Sequence, residues 1–498
     1  MLDLNLKSTI FIEYMKNLYF FFYTFFLCLL LSSCHKKGAY FQDALCISNI
    51  NIIHPNEGLE KNINLVIRGN KIVQIDDAEK LVFSDKNKVI DGRGKFLIPG
   101  LWDSHVHFYF DPFLGKYMPD LFLSNGITSV RDTGGPFHFV DSIKKRSLSN
   151  PTIFPRVKIA GPLIDGKFNV YDGKNISELS IQTIDVEDTR RKTQELVNNG
   201  VDFLKAYEML SEAQFKEVAA IAEKNNLRMA GHVPLSMDII TATELGLNSL
   251  EHIKNIELTA LKSRDSLLRV RRKMLENSSK LPGIELRGSI HRAQKSFAIK
   301  AIDSTELENV LDIIKKNNSF QVPTLSIYKV PTYKIFKRNF WKQSFKMLPK
   351  KTKQLWLSRE QQSKNTIDSD QKAFSDWIQK TVGQMNKKEI TIMAGTDTPL
   401  GYLTPGYSLH YELELLVESG LSEIDAIRTA TLNPAQYFRM EDSLGQIKKN
   451  YIADLVILNQ NPLVDIKNTK AIDAVIKNGH YQSKQELDYN ILNKKFSN

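Results

Sequence analysis

The sequence predicts an α/β chain: a (β/α)8 TIM barrel flanked by a small sheet domain assembled from both ends. Three observations carry that prediction. Short apolar runs alternate with longer amphipathic stretches through residues 99–441, the texture of a parallel sheet with crossover helices. About eight such runs can be counted, the number a barrel needs. Runs of β character, broken by Gly, Asn and Asp, lie on both sides of this middle, over 43–98 and again over 442–485.

The chain has 498 residues, 42% of them hydrophobic, enough for one large core and a smaller one. Its net charge of +11 reads as lysine-rich solvation. Nucleic-acid binding would need that charge clustered among aromatics, and the densest basic run, "KSRDSLLRVRRK" at 262–273, reads as an exposed helix. Residues 15–34, "MKNLYFFFYTFFLCLLLSSC", place a lysine before an apolar run and then small residues, as a signal peptide does. Leu31-Ser32-Ser33-Cys34 is similar to the lipobox of bacterial lipoproteins, which implies cleavage before a lipidated Cys34. A transmembrane anchor is the other reading of the run. The expected order is therefore a lipoprotein signal peptide over 1–33, a tether over 34–42, the two sheet segments around the barrel, and a polar tail over 486–498. Met15 is an alternative start. Of the three cysteines, only Cys46 is left as a free thiol in a mature chain, so no disulfide framework is available; an apolar context suits it as a small buried hydrophobe.

Within the middle, the candidate strands are "FLIPGLWDSHVH", "TSVRDTG", "RVKIAG", "DFLKAY", "LRMAGHV", "NSLEHI", "FQVPTLS" and "ITIMAGTD". After "DFLKAY", Ser211 and Gln214 have capping-box spacing, and Phe215, Val218, Ala219 and Ala222 recur at helical period. Ser422 and Asp425 repeat that start before "AIRTATL". Residues 255–318 and 330–388 exceed one helix each and read as extra helices over one face.

Side chains at i and i+2 of a strand point the same way, so His105 and His107 aim at one place, at the end of an apolar strand where barrel active sites lie. Asp103 precedes them on the same face. Four other predicted strand ends add Lys205, His232, His252 and Asp397. A buried lysine is expensive unless it is neutralised or modified. Each position has a plainer role open to it: Lys205 pairing with Glu208 or Asp202, a core histidine for His232 or His252, a turn or N-cap for Asp397. Less firmly, Tyr207 shares the face of Lys205, Arg131 ends the second strand with a fork that suits a carboxylate, and His410 sits where it could line the mouth. A salt bridge to Asp132 or Asp103 is open for Arg131, and helix packing for His410.

"VIDGRGKFLIPGLWDSHVHF", "NGITSVRDTGG", "VDFLKAYE", "AGHVP", "LEHI", "AGTDTP", "SLHYELELLVESGL", "ATLNPA" and "ADLVILNQNPLVDI" together resemble the amidohydrolase superfamily, in its imidazolonepropionase-like and prolidase-like branch. The resemblance implies a metal-bearing TIM barrel with a β-sandwich built from both termini. It implies two divalent ions: His105, His107 and Asp397 on one, His232 and His252 on the other, with Lys205 bridging as a carbamate formed from CO2. Imidazole and carboxylate donors suit Zn2+ best. Asp397 is then the general base and acid. Asn450 stands where the family usually has glycine, and asparagine tolerates left-handed backbone.

The expected activity is hydrolysis of a C–N bond in a small amide, dipeptide or cyclic amide, with Xaa-Pro or Xaa-Arg/Lys dipeptidases among the members it resembles. A lactonase or phosphotriesterase-like esterase on the same scaffold is the second expectation, and a ligand-binding lipoprotein without catalysis the third. The expected setting is the cell envelope, lipid-anchored at the periplasmic face or the cell surface, with a small-molecule or dipeptide substrate, no nucleic acid, and an oligomer left open.

Overall fold

The structure, a computed structural model, describes residues 12–21, 39–174, 176–276 and 281–496. The lipobox and Cys34 lie outside the described residues, as does most of the expected signal peptide; 12–21 is helical. Among the described residues no helix is long and apolar enough to cross a membrane.

The central strands are parallel and short. Leu101–Val106 pairs with Ile127–Asp132, which pairs with Arg156–Ile159. A second sheet runs Phe203–Ala206, Arg228–Gly231, Ser249–Glu251, Phe320–Val322, with Leu163–Asp165 and Ser180–Gln182 on its outer edge. Every residue of Leu101–Val106, Ile127–Asp132 and Phe203–Ala206 is buried, as expected of parallel strands covered on both faces.

Neither sheet closes on itself, but hydrogen bonds bridge both gaps. Asp202 N donates to Ile159 O at 2.8 Å on one side. On the other, residues 391–398 run between the sheets: Met393 N donates to Gln321 O and Ser104 N to Ala394 O, each at 2.9 Å. This eighth segment makes isolated bridges at Ile392 and Thr398 and no regular strand. A Cβ on Gly395 would stand 2.9 Å from His105 Cβ and 2.7 Å from the Val322 side chain, and the chain then turns through left-handed backbone at Asp397, φ 63°.

Helices follow the strands. Ser211 and Gln214 form the capping box of Glu212–Lys224, each side chain meeting the other's backbone N–H. Ser422 caps Glu423–Thr429 through Asp425 N. Between Ser249–Glu251 and Phe320–Val322 come Arg264–Glu276, Gly283–Lys300 and Ser304–Lys316; after Phe320–Val322 come Leu325–Thr332, Lys350–Gln362 and Ser369–Lys387. The basic run does form a helix, but it is anchored. Arg271 is buried and donates to Gln294 Oε1 and Asn255 Oδ1.

Both termini build one eight-stranded sheet. Its order is His480–Ser483, Ile472–Lys477, Leu455–Leu458, Phe96–Pro99, Ala44–His54, Gly58–Arg68, Lys71–Asp77, with Val89–Asp91 beside Ala44–His54. Bulges at Ile47/Ile50 and Ile50/Ile52 bend the long first strand. The far edge curls back, so that Ile72 N donates to Tyr451 O at 3.0 Å and Ala453 N to Asn70 O at 2.9 Å. The sheet wraps its own core, including Ile52, Leu65, Leu97, Leu455 and Ile476. Asn450 has φ 71°, the left-handed geometry its position asks for, and Cys46 is a buried free thiol.

Two expectations are corrected. The run "FLIPGLWDSHVH" is two strands: Phe96–Pro99 joins the terminal sheet and Leu101–Val106 the barrel. Gly100 divides them where a Cβ would strike Thr128 at 2.2 Å. The polar tail is a helix, Lys484–Phe496, that buries Leu487 and Ile491, four residues apart and so on one face, against the main core. Leu487→Ala is expected to cost roughly 2–5 kcal/mol, and Leu492→Ala, on the exposed side of the same helix, less than about 1 kcal/mol. Denaturant unfolding of the two variants checks this.

Candidate metal centre

The six residues expected at strand ends converge. His105 lies near the end of Leu101–Val106, and His107 just beyond it. Lys205 lies in Phe203–Ala206; His232 and His252 directly follow Arg228–Gly231 and Ser249–Glu251. All are buried. Asp397 stands at the centre: its Oδ1 is 3.3 Å from His107 Nε2 and 3.5 Å from His105 Nε2, and its Oδ2 is 3.8 Å from His252 Nε2. The ring centres of His105 and His252 are 4.5 Å apart, and those of His232 and His252 4.8 Å.

One rule orients all four imidazoles. Each Nδ1 is occupied by an acceptor, which leaves each Nε2 facing other partners; that of His107 also lies 3.3 Å from Thr133 Oγ1. His105 Nδ1 donates to Glu251 Oε2 at 2.5 Å, and His107 Nδ1 to Gly134 O at 3.1 Å. His232 Nδ1 donates to Glu208 Oε1 at 2.6 Å. His252 Nδ1 donates to Thr324 Oγ1 at 2.7 Å; that hydroxyl spends its own proton on Pro323 O. Asp397 is placed through its backbone, since Asp397 N donates to His105 O at 2.8 Å. Its neighbour Thr396 donates to Asp103 from both N and Oγ1. Asp103 therefore ties the first strand to the eighth segment, a role its place beside the histidines did not reveal.

Protonation follows burial. Desolvation, with Lys205 nearby, holds His105 well below the usual histidine range. It brings His232 down to about 3 and also holds His252 well below normal. His107 goes the other way: burial opposes its charge, but the Asp397 carboxylate outweighs it and raises the pKa. Lys205 falls to about 8 by desolvation. Its Nζ is buried without a hydrogen-bond partner among the described residues, 3.9 Å from Glu251 Oε2. Its pairing with Glu208 or Asp202 is not seen.

These atoms fit divalent metal. His105, His107 and Asp397 offer ligand atoms within 4.8 Å of one another. The 3.3 and 3.5 Å donor separations match two donors each about 2.1 Å from one ion in tetrahedral array. A buried orphan amine beside two free imidazole nitrogens completes a donor set of the kind that takes a second ion once the amine is modified.

The three less firmly placed residues separate. Tyr207 stays at the site, buried with its ring 4.5 Å from that of His232. Arg131 does not face the opening. Fully buried, it donates to Ser104 O, Ser249 Oγ and, at 2.7 Å, Glu251 Oε1, and stacks over Phe203 and Tyr437. Its partner is thus neither Asp132 nor Asp103. His410 is buried in helix packing, its ring nitrogens on Thr469 Oγ1 and Asn125 O.

Glu251, Glu208 and Thr324 were missed as positioning groups, although two of them adjoin ligands in "SLEHI" and "KAYE". Glu208 also accepts from Arg287 and His291. Burial pushes its carboxyl up, but Arg287 and then His291 outweigh it and hold the pKa well below the carboxylate range.

Residues 284–481 match the sequence model of the amidohydrolase family, a span that contains Asp397 and starts after His252. Ochratoxinase from Aspergillus niger is 22% identical over 445 residues, spanning 78% of this chain and 75% of that protein. Its crystal structure superposes with a TM-score of 0.61 at 20% identity, covering 88% of this chain and 95% of that one. A crystal structure of an Xaa-Pro dipeptidase with bound methionine gives 0.64 at 19% identity, covering 88% and 100%. The likeness to solved structures is one of fold, and with the sequence match it supports the amidohydrolase superfamily.

Arg131→Met leaves Glu251 buried and uncompensated. It is expected to cost about 3–5 kcal/mol of stability, read as a lowered unfolding midpoint. A raised KM with an unchanged midpoint would return Arg131 to substrate binding.

Proposed function

We propose that this chain is a metal-dependent hydrolase of amidohydrolase type, acting on a C–N bond in a small amide, dipeptide or cyclic amide within a (β/α)8 barrel. The observation that carries the reading is the convergence of four imidazole Nε2 atoms, the Asp397 carboxylate and an orphan buried amine at the ends of five neighbouring segments. His105, His107 and Asp397 would hold one ion, His232 and His252 the second, and Lys205, as a carbamate, would lie between them. Divalent metal, with Zn2+ the best match to these donors, supplies Lewis acidity and an acidified water when bound.

The chain's own residues do the rest. The low pKa of Lys205 keeps a useful fraction of neutral amine at neutral pH, the form that combines with CO2. Glu251, Glu208, Thr324 and the Gly134 carbonyl fix the ring planes, so no reorganisation is needed during turnover. Asp397 takes the proton of the attacking water and returns it to the leaving amine. Tyr207, beside His232, would line the substrate side. The ochratoxinase and dipeptidase likenesses bring amides and dipeptides to the front of the substrate list.

A panel of dipeptides, lactones and phosphotriesters with Zn2+-, Mn2+- and Co2+-reconstituted protein tests the reading. Turnover confined to lactones or phosphotriesters, or none at all, would sink it. His105→Asn is expected to lower kcat/KM by more than about 100-fold, beyond the 10–100-fold typical of losing an outer-shell partner. Bound metal, counted by elemental analysis, should fall with it while circular dichroism stays unchanged.

The "LSSC" step leads us to propose lipid attachment at Cys34 and a place in the cell envelope. Cys34→Ala is expected to abolish incorporation of labelled palmitate and to release the protein from the membrane fraction; retained label would refute it.

A further inference from the structure

His252 is gripped by the segment that begins at the end of Phe320–Val322. Its N donates to Val322 O at 2.8 Å, its Nδ1 to Thr324 Oγ1 at 2.7 Å, and its O accepts from the Tyr328 hydroxyl at 2.9 Å. The grip has strain to hold. His252 has φ 63°, and Ile253 and Asn255 follow at 55° and 71°. Left-handed backbone is unfavourable for a β-branched residue such as Ile253, and it persists only where the surroundings over-determine it.

Thr324 opens the helix Leu325–Thr332, and a threonine at that place ordinarily caps the helix with its own side chain. Here it makes no such bond, and it too is left-handed, at φ 47°. Its hydroxyl is spent on His252 Nδ1 and Pro323 O. The first N–H groups of the helix would then be orphans. Glu412, from the helix Tyr407–Glu418, takes two of them: Leu325 N donates to Oε1 and Ser326 N to Oε2, each at 2.7 Å. The carboxyl is completely buried. Burial pushes its pKa up to about 8, although both N–H groups pull it down, and a polar group is kept at such depth only at a cost. The same helix carries His410, which stays within the packing; two residues on, Glu412 reaches the start of the helix that holds His252.

We propose that Glu412 is a positioning residue for His252. By taking the two N–H groups it does the capping that would otherwise fall to Thr324, and so leaves the Thr324 hydroxyl to orient the imidazole. Tyr328, one turn into the same helix, is set by the same cap, so the ring and the carbonyl of His252 both depend on it. Without Glu412, capping falls back on Thr324 and His252 Nδ1 loses its acceptor. The carboxyl acts at one remove: it fixes Thr324, Thr324 fixes the ring plane, and the ring plane fixes the direction of Nε2. The proposal rests on the ligand role given to His252 above, but the tautomer it concerns is read without metal.

The test uses full-length protein with isotope-labelled histidine, freed of metal. Long-range nitrogen–proton correlation NMR reads the tautomer of each ring, and the His252 signals are those lost in His252→Asn. The wild type is expected to show His252 protonated on Nδ1. Glu412→Gln keeps the volume but turns an amide NH2 towards one of the two N–H donors. In it the ratio of the Nδ1–H to the Nε2–H form should fall about fivefold or more, as losing one hydrogen bond would give, and Thr324→Val should do the same. His107, whose Nδ1 rests on Gly134 O, should keep its tautomer in both variants, which a general loosening of the fold would not allow. Glu412→Met takes the place of the Gln variant if that one does not fold. With zinc added, the more weakly held ion should bind about tenfold less tightly in Glu412→Gln. Adding Thr324→Val should weaken it by less than about twofold further, since both changes act by one route. A His252 tautomer untouched by the Glu412 variants, His107 and His252 disturbed together, or losses that multiply in the double variant would each overturn the proposal. A wild type that holds fewer than two zinc ions would sink the two-ion reading instead, and the tautomer ratios alone would then decide the role of Glu412.

Discussion

The centre depends on one buried carboxylate. Glu251 accepts from His105 Nδ1, from Arg131 and from Ser249 Oγ, and it is the nearest charge to Lys205. It thus sets the tautomer of one proposed ligand, neutralises the guanidinium beneath the site, and stands beside the amine that would be modified. Ion pairs of this depth contribute little net stability, but they fix geometry. Here the fixed quantity is the direction of His105 Nε2, from which the distance to Asp397 follows. The other three imidazoles obey the same logic through different acceptors, so the cluster is organised before any ligand arrives.

Most of the donor set was legible in the sequence because it obeys local rules. Two histidines two residues apart share a strand face, and the others mark the C-terminal ends of their own short strands. The supporting shell was not legible, because its contacts are long-range. His105 meets Glu251 across 146 residues and Glu208 meets His291 across 83, and no periodicity encodes such pairings. Arg131 shows the same blindness in reverse: its position at a strand end suggested substrate, and its depth makes it structural. The eighth strand was legible as an apolar run but not as a bent one, since the bend follows from how closely the Gly395 backbone approaches His105.

The helices beyond the barrel do more than cover it. Gly283–Lys300 sends Arg287 and His291, one turn apart, onto Glu208, so the helix is fastened to the shell of His232. The same helix carries Lys295 onto Phe374 of Ser369–Lys387. The wall of a neighbouring cavity and the shell of His232 therefore share one element. Variation along it would reshape the cavity wall, and the two anchoring residues would keep the ring of His232 in place.

The terminal sheet has a consequence for biosynthesis. Phe96–Pro99 pairs with Leu455–Leu458 on one side and with Ala44–His54 on the other. A ribosome makes the first of these segments some 350 residues before the last, and at roughly 5–20 residues per second that edge waits about half a minute for its partner. During that interval an apolar strand is held open next to a barrel that lacks its closing segment. The finished molecule is secured by a seam that only the last part of the chain can close, which makes the nascent protein a natural client for chaperones that shield strand edges.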